Sequence, residues 1–543
     1  MVPAQIAAPR PTWRRLTLLA VSCLVFLPLL WGAGQGTAAA LQGDVPLDEA
    51  LVLAGGESTN PRTYDPATTH GSGDRLVFSG LVSLDPQLRL TPDLAESWTV
   101  DAGGTVYTFG LRSNAKFHDG RPVTAQDVIY SWERAASPAI ASETVLTYLG
   151  DIVGLKEMTA GQADHIRGLE ALDDRTLRVT IDGPKPYFLL KLTYPTGFVV
   201  DRNNVEAGGE WYRQPNGTGP FRMREWRRFE VIIYEANQDF YLGPPAIPYV
   251  VVRLYAGESV RLYESDEVDI AGVGLYSAER FLDPGEPLHS ELLSGVSLCT
   301  GYVVFDARRP PFDDQLVRRA FSMAFDRQRF IDVLLRGIAL PAAGPYPPGL
   351  PGFSYELAGL TYDPAAARQL LAESKYGGPE GLPPIVYTDG GIGNVASPDV
   401  AALAEMWKRN LGVTISIENL ESNYYFDHVF SGNHGQLLGG GWCADYPDPE
   451  NFADVLFHSD SEQNLGGFSD ETLDDLLEMA RVEPDVSRRI SLYQQAERMI
   501  VDEAPVLFTT HSLSFVLVKP YVRGYVLTPI DIPIERYMWL EGK

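Results

Sequence analysis

The densest chemistry in this 543-residue chain lies in one segment, Gly439-Gly440-Gly441-Trp442-Cys443-Ala444-Asp445-Tyr446-Pro447-Asp448-Pro449-Glu450-Asn451-Phe452. Three carboxylates, Asp445, Asp448 and Glu450, follow permissive glycines, an indole and a thiol. Such a segment can hold a hard cation, form a plain capped loop, or wall a ligand site. Calcium takes about six to eight oxygens wrapped around it, whereas EF-hand spacing is absent here and Pro447 and Pro449 limit wrapping. The same prolines stiffen the loop, which suits a recognition group placed in advance of its ligand. A ligand wall is the favoured reading of the three.

No reacting constellation competes with that segment. The patterns G-x-S-x-G, H-E-x-x-H and G-x-x-x-x-G-K-[ST] do not occur. His428 and His434 flank Ser431-Gly432-Asn433 at a spacing that matches no zinc pattern. Lys116-Phe117-His118-Asp119-Gly120 sets an imidazole beside a carboxylate, but neighbours on a strand point to opposite faces, so the motif reads as a turn. No catalytic residue, metal or cofactor is expected. The charge balance, 44 Lys and Arg against 71 Asp and Glu for a net charge of -27, argues against a nucleic-acid partner, because duplex affinity rests on cations that neutralise phosphates.

Residues 1–40 read as a targeting segment. Arg10, Arg14 and Arg15 come without an acidic residue, an apolar run extends from Leu16 to about Ala33, and Thr37-Ala38-Ala39-Ala40 supplies small residues for cleavage. Ala20-Val21-Ser22-Cys23 resembles a lipoprotein box with Ala in place of the usual first Leu, and the apolar run is just long enough to span a bilayer. Cleavage, lipidation at Cys23 and retention as an anchor therefore stand as alternatives, and all three place the folded part outside the cytoplasm. Arg14-Arg15 also suggests twin-arginine export, weakly, because Thr17 stands where that signal has an apolar residue. Beyond this segment only Cys299 and Cys443 remain, paired or free as far as the residues alone tell.

The elements that must position the segment are legible in outline. At about 150 residues per domain the length predicts three or four domains, and 45% hydrophobic residues suffice for ordinary cores. Leu51-Val52-Leu53 reads as a buried strand opening into a loop at Gly55-Gly56; Tyr107, Phe109 and Leu111, and then Leu177, Val179 and Ile181, alternate with the period of two. Thr124 caps a helix with Asp127 at its third position, and Ala125, Val128, Ile129, Trp132 and Ala136 form its buried stripe. Leu316, Val317, Ala320, Phe321, Ala324 and Phe325 make a second helical face, after which Asp326 caps a helix stopping at Gly337. A helix over 399–411 feeds a strand over Val413–Ile417, helical sequence runs from about 470 to 503, and strand-like sequence spans Val506–Val518. The class is mixed α/β with more than one core and no internal repeat.

In order and spacing the chain resembles the large solute-binding proteins of ABC-type peptide importers, family 5, and is most similar to the oligopeptide-binding subgroup. The resemblance is carried by Leu94-Ala95-Glu96-Ser97-Trp98, Phe117-His118-Asp119-Gly120, Val123-Thr124-Ala125-Gln126-Asp127-Val128, Gly217-Thr218-Gly219-Pro220-Phe221, Pro311-Phe312-Asp313-Asp314, Tyr362-Asp363-Pro364-Ala365 and Trp442 to Phe452, and runs through nearly the whole mature chain. It implies an α/β, two-lobed periplasmic-binding-protein-like fold (type II, cluster C) with three domains: domain I from residues 41–74, 196–297 and 511–543, domain II from 75–195, and domain III from 298–510. A ligand would lie between domains I and III, which close over it about two crossings.

The resemblance also implies a Cys299–Cys443 disulfide and a role for Asp445 as partner of a peptide's α-ammonium. The peptide backbone would lie as an added strand against Gly441 and Cys443 on one side and Glu57, Ser58, Thr59 and Asn60 on the other, with Trp442 as an aromatic pocket wall. Two departures are visible. Gly439 stands where relatives carry an Arg that anchors the ligand's carboxylate, and Val304 lacks a carboxylate found in some relatives. The implied partners are an oligopeptide or another small solute and a membrane permease, with the receptor a monomer. Sugars, metal chelates or peptide-like metabolites on the same fold are the alternatives, followed by a secreted hydrolase and by a signalling or chaperone-like role.

Overall fold

The computed structural model describes residues 45–55, 63–68, 75–391, 395–421, 425, 428–429 and 431–543. The export segment of residues 1–40 and the expected ligand-side loop Glu57–Asn60 lie outside the described residues.

In chain order the elements that matter here are β1 (Ala50–Gly55), β2 (Ala95–Val100), β3 (Val106–Leu111), α1 (Ala125–Ala136), α2 (Val145–Leu149), β4 (Leu169–Asp173), β5 (Thr176–Thr180), β6 (Phe221–Arg227), β7 (Val231–Ala236), β8 (Tyr249–Leu254), β9 (Ile270–Gly272), β10 (Leu292–Phe305), α3 (Gln315–Met323), β11 (Ile385–Asp389), α4 (Pro398–Leu411), β12 (Ile415–Asn419), β13 (Leu437–Cys443), α5 (Glu450–Phe457), α6 (Glu471–Val482), α7 (Val486–Glu503) and β14 (Val506–Val518). The fold is two-lobed α/β. One sheet runs through both lobes in the order β12-β11-β13-β10-β14-β9-β1-β8-β7-β6, with the short strand Ala339–Pro341 beside β14. β2, β3, β5 and β4 form a separate four-stranded antiparallel sheet.

Local sequence explains the smaller sheet. Thr124 donates its backbone N–H to Asp127 Oδ2 at 2.8 Å, the return half of a capping box, and this starts α1. The stripe Ala125, Val128, Ile129, Trp132 and Ala136 is buried against Tyr107, Phe109, Leu111, Leu177 and Val179, the inward residues of β3 and β5. Expected helical sequence over 470–503 forms two helices, because Pro484 cannot continue α6 and Asp485 caps α7 by accepting from the Arg488 N–H at 2.8 Å. The helix expected from Asp326 is α-helical only over Arg327–Arg329. It then widens into a π turn over Phe330–Leu334, where the Leu335 N–H is shared between the Phe330 and Ile331 carbonyls, and Gly337 ends it at φ 76°. The strand expected from Val413 starts two residues later, at Ile415, because Gly412 closes α4 in the left-handed conformation at φ 76°.

The lobes share β10 and β14, the two longest strands described here. Their antiparallel pairing shifts register between Val296 and Thr300 and again between Gly301 and Tyr302. At the first shift the Thr300 hydroxyl donates to the Pro345 carbonyl at 2.8 Å and lies 2.9 Å from His511 Nδ1. Its single proton is spent on Pro345, so His511 Nδ1–H is the donor; burial pushes the imidazole down to about 4, leaving it neutral at pH 7.

Candidate functional site

β13 brings the acidic segment to the surface of its lobe. Cys299 and Cys443 face each other across β10 and β13 with their Cα atoms 3.9 Å apart and are joined by a disulfide. One residue on, the Ala444 N–H donates to the Leu298 carbonyl at 2.7 Å. Hydrogen-bonded and non-bonded pairs alternate along an antiparallel ladder, so Trp442 turns its backbone toward β10 while Gly441 and Cys443 turn theirs away. On that outer side β11 pairs only with Leu437 and Leu438. At Gly441 and Cys443 the strand therefore presents an open edge among the described residues, both being exposed.

Asp445 stands at the end of this edge, held from two directions. Asn451, fully buried in α5, accepts from the Asp445 N–H at 2.9 Å and from Trp442 Nε1–H at 3.2 Å, and its Nδ2 lies 3.4 Å from Asp445 Oδ2. From α2 the Tyr148 hydroxyl donates to the same Oδ2 at 2.5 Å. Tyr148 stacks on Tyr194 with centroids 3.6 Å apart and meets Tyr446 edge-on at 6.4 Å, which fixes its ring. Burial pushes Asp445 up to about 6, against the pull of Tyr148, Asn451 and the positive charge of Arg75.

The other two carboxylates go elsewhere. Asp448 takes a two-pronged ion pair from Arg489 at 2.8 and 2.6 Å. Glu450 accepts from the Tyr446 hydroxyl and lies 3.5 Å from Lys191 Nζ. Lys191 is itself 2.9 Å from Asp151, which also pairs with Lys185 at 2.6 Å. Burial raises Glu450 while Lys191 restrains it; burial works the same way on Asp151, but Lys191 and Lys185 bring that group down to about 2. Asp445, Asp448 and Glu450 thus share no cation. Instead, the Glu450–Lys191 and Asp445–Tyr148 contacts tie the segment after β13 to the segment around α2.

Beside Asp445 lies a cavity of about 500 Å³, its open mouth included, bordered by Arg75, Phe78, Ser79, Asp93, Thr193, Phe198, Asp531 and Arg536. Of the residues singled out in the sequence, Asp445, Trp442, Gly441 and Cys443 are brought together, and Glu57, Ser58, Thr59 and Asn60 lie outside the described residues. Tyr148, Asn451, Arg75 and Lys191 were not singled out. Asn451 belongs to the same segment and its adjacency was a signal; the others come from distant sequence with no periodicity to mark them. The Gly439 position is closed as well as empty of charge: a Cβ there would meet the Tyr387 hydroxyl at 3.2 Å, and the Tyr425 hydroxyl donates to the Gly439 carbonyl at 2.9 Å.

Two lobes sharing a pair of long strands, with an open strand edge and a partly buried acid at their meeting place, define a receptor for a small solute. The chain belongs to the bacterial extracellular solute-binding proteins, family 5, whose middle region is matched by residues 89–464. That is a family of binding proteins, not an enzyme class. The chain is 30% identical over 525 residues to the periplasmic oligopeptide-binding protein OppA of Escherichia coli K12, covering 92% of this chain and 95% of that protein. It is also 30% identical over 536 residues to the probable deoxycholate-binding periplasmic protein YgiS of the same strain, covering 96% and 99%. Among solved structures, the murein tripeptide-binding protein MppA of Escherichia coli matches with a TM-score of 0.78 at 28% identity, covering 92% of this chain and 99% of that one; an unliganded open form of MppA, also 28% identical and covering 92% and 98%, gives 0.69. Among the described residues no helix is long and apolar enough to cross a membrane.

Proposed function

We propose that this protein is the extracytoplasmic receptor of an ABC importer, closing over a peptide whose free α-ammonium pairs with Asp445 and delivering it to a membrane permease. The observation that carries the reading is the placement of Asp445 at the end of the open edge of β13. An extended peptide added to that edge bonds to the outward backbone of Gly441 and Cys443, contacts that are blind to side chains, while its amino end meets the carboxylate. Glu57, Ser58, Thr59 and Asn60 complete the peptide's other side in this proposal, and Trp442 walls a side-chain pocket.

The proposed domains are I (41–74, 196–297, 511–543), II (75–195) and III (298–510), with the register shifts of β10 and β14 as the hinge. Closure brings Tyr148 of domain II onto Asp445 and Lys191 of domain II beside Glu450; the lower likeness to the open form of MppA accords with such a closed arrangement. Export by the N-terminal segment, whether cleaved, lipidated or kept as an anchor, sets the receptor beside its permease.

Thermal unfolding of the mature protein with pools of three- to five-residue peptides, with free or N-acetylated amino ends, tests the reading. A ligand at about 100 times its dissociation constant stabilises by about 2.7 kcal/mol, a rise of several degrees. Stabilisation by the free pools alone is expected. No shift with either overturns the peptide reading, and native mass spectrometry of copurified material then identifies the solute.

A further inference from the structure

We infer that the cavity beside Asp445 is a subsite for an anionic group carried by the ligand's first residue, with Arg75 as its main partner and Arg536 as its second. The inference rests on the peptide-receptor reading above and narrows its ligand to peptides that bear a carboxylate a few bonds from the free α-ammonium.

The geometry of Arg75 is that of a prepared anion partner. Among the described residues one of its five N–H donors is used, by Nη1 to the Thr193 carbonyl at 3.0 Å. The rings of Tyr194 and Phe198 flank the guanidinium at 6.0 and 5.9 Å, limiting its swing. Among the described residues it forms no ion pair. Arg536 borders the same cavity in a similar condition: Nη2 donates to the Tyr537 hydroxyl, the group lies 4.6 Å from that ring, Nε is buried without a partner, and no ion pair is formed among the described residues.

Charge balance makes the anion a requirement of the bound state. Before binding, the carboxylate of Asp445 and the guanidinium of Arg75 offset one another across the cavity. A ligand ammonium at Asp445 takes away that counterweight and leaves the guanidinium groups of Arg75 and Arg536 facing a partly buried place, which is unfavourable unless an anion joins them. The acids on the cavity wall answer only in part: Asp93 is buried, accepts from the Tyr241 hydroxyl and is raised by burial against the pull of Arg536 and Arg112, and Asp531 is exposed to solvent. A carboxylate on the ligand itself completes the set and matches the two-pronged donor geometry of a guanidinium. Two sources have this chemistry. An N-terminal Glu or Asp brings its side-chain carboxylate, and a γ-linked glutamyl residue brings its α-carboxylate.

Titration calorimetry at pH 8, where Asp445 is ionised, tests this with tripeptides that differ only in the first residue: Glu, Gln, Lys and γ-linked Glu. Wild type is expected to bind a Glu-first peptide at least about tenfold more tightly than its Gln-first partner, with Lys-first weakest. Arg75→Gln should erase the Glu-over-Gln preference, by weakening the Glu-first peptide and relieving the positive surplus that opposes the Gln-first one, and Arg75→Lys should restore it in part. A γ-linked peptide tighter than its α-linked isomer assigns the subsite to an α-carboxylate; the reverse assigns it to a side chain; both support the subsite. Equal affinity for Glu-first and Gln-first peptides in wild type, which needs no variant to fold, overturns the inference and leaves the peptide receptor standing. Absence of binding by every free-amino peptide overturns both.

Discussion

An aspartate pushed up to about 6 by burial carries its charge at pH 7 at a cost to the arrangement that buries it, and in the proposed reading a bound ammonium relieves it. The reference value is 3.8, so the penalty is absent below that pH, grows between 3.8 and 6, and is complete above 6, at about 3 kcal/mol. Affinity for a free-amino peptide should therefore fall as pH drops and the carboxylate of the free receptor takes up a proton, by up to about tenfold per unit, with the break near 6 where Tyr148 still covers Asp445 and nearer the reference value of 3.8 where the open lobes expose it. Calorimetry between pH 5 and 8 checks this. Tyr148→Phe removes a hydrogen bond that favours the ionised form, so its break should move to higher pH; an unmoved break would contradict the role given to Tyr148. The segment holding Asp445 was legible in the sequence because Trp442, Cys443 and the prolines crowd it, whereas Asp445 was distinguished from Asp448 and Glu450 only by the resemblance to peptide receptors. Tyr148, 297 residues away, and Arg75 reach it only through the fold, and no pattern in their own neighbourhoods points there.

At the level of the element, two neighbouring glycines of β13 separate folding from binding. A Cβ on Gly440 would come within 2.4 Å of Tyr302 Cε2, whereas one on Gly441 meets nothing nearer than the Thr300 carbonyl at 3.7 Å. Gly440→Val should destabilise the fold by about 1–3 kcal/mol through overpacking. Gly441→Val should leave the melting temperature within about two degrees and weaken peptide binding at least tenfold, as differential scanning fluorimetry and calorimetry would read. Loss of stability in Gly441→Val would instead place that residue in packing. The contact between α5 and the segment after α2 makes a second claim. Lys191→Met leaves Glu450 buried beside the Tyr446 hydroxyl and takes from Asp151 one of its two lysines, so the loss of about 3–5 kcal/mol for a broken buried pair is divided between the packing around Asp151 and the closed arrangement. Ligand dissociation should quicken at least tenfold in stopped flow, and an unchanged rate would remove Lys191 from closure. Capped helices such as α1 were legible because a cap and a stripe are local; the π turn after Arg329 and the open edge of β13 were not, since each depends on what packs, or fails to pack, beside it.

Across the whole molecule, the sheet runs through both lobes, β10 and β14 join them, and in the proposed reading their irregular pairing around Thr300 and His511 is the hinge. The disulfide pins β13 to β10 a residue away from that crossing, so the open edge of β13 moves with β10. The overall class was legible from motif order along the chain, because spacing between motifs is set by the fold as a whole. The charges that meet at the cleft were not, since they are assembled from chain segments hundreds of residues apart. The measurement that bears most directly on the account is calorimetry at pH 7 of wild type and Asp445→Asn with one tripeptide, its amino end free or acetylated. Wild type should bind the free form about 100-fold or more tightly than the acetylated form, and Asp445→Asn should lose that advantage, binding the two alike. Equal affinity of wild type and Asp445→Asn for the free peptide would contradict the account, taking Asp445 out of the site and the ammonium out of recognition.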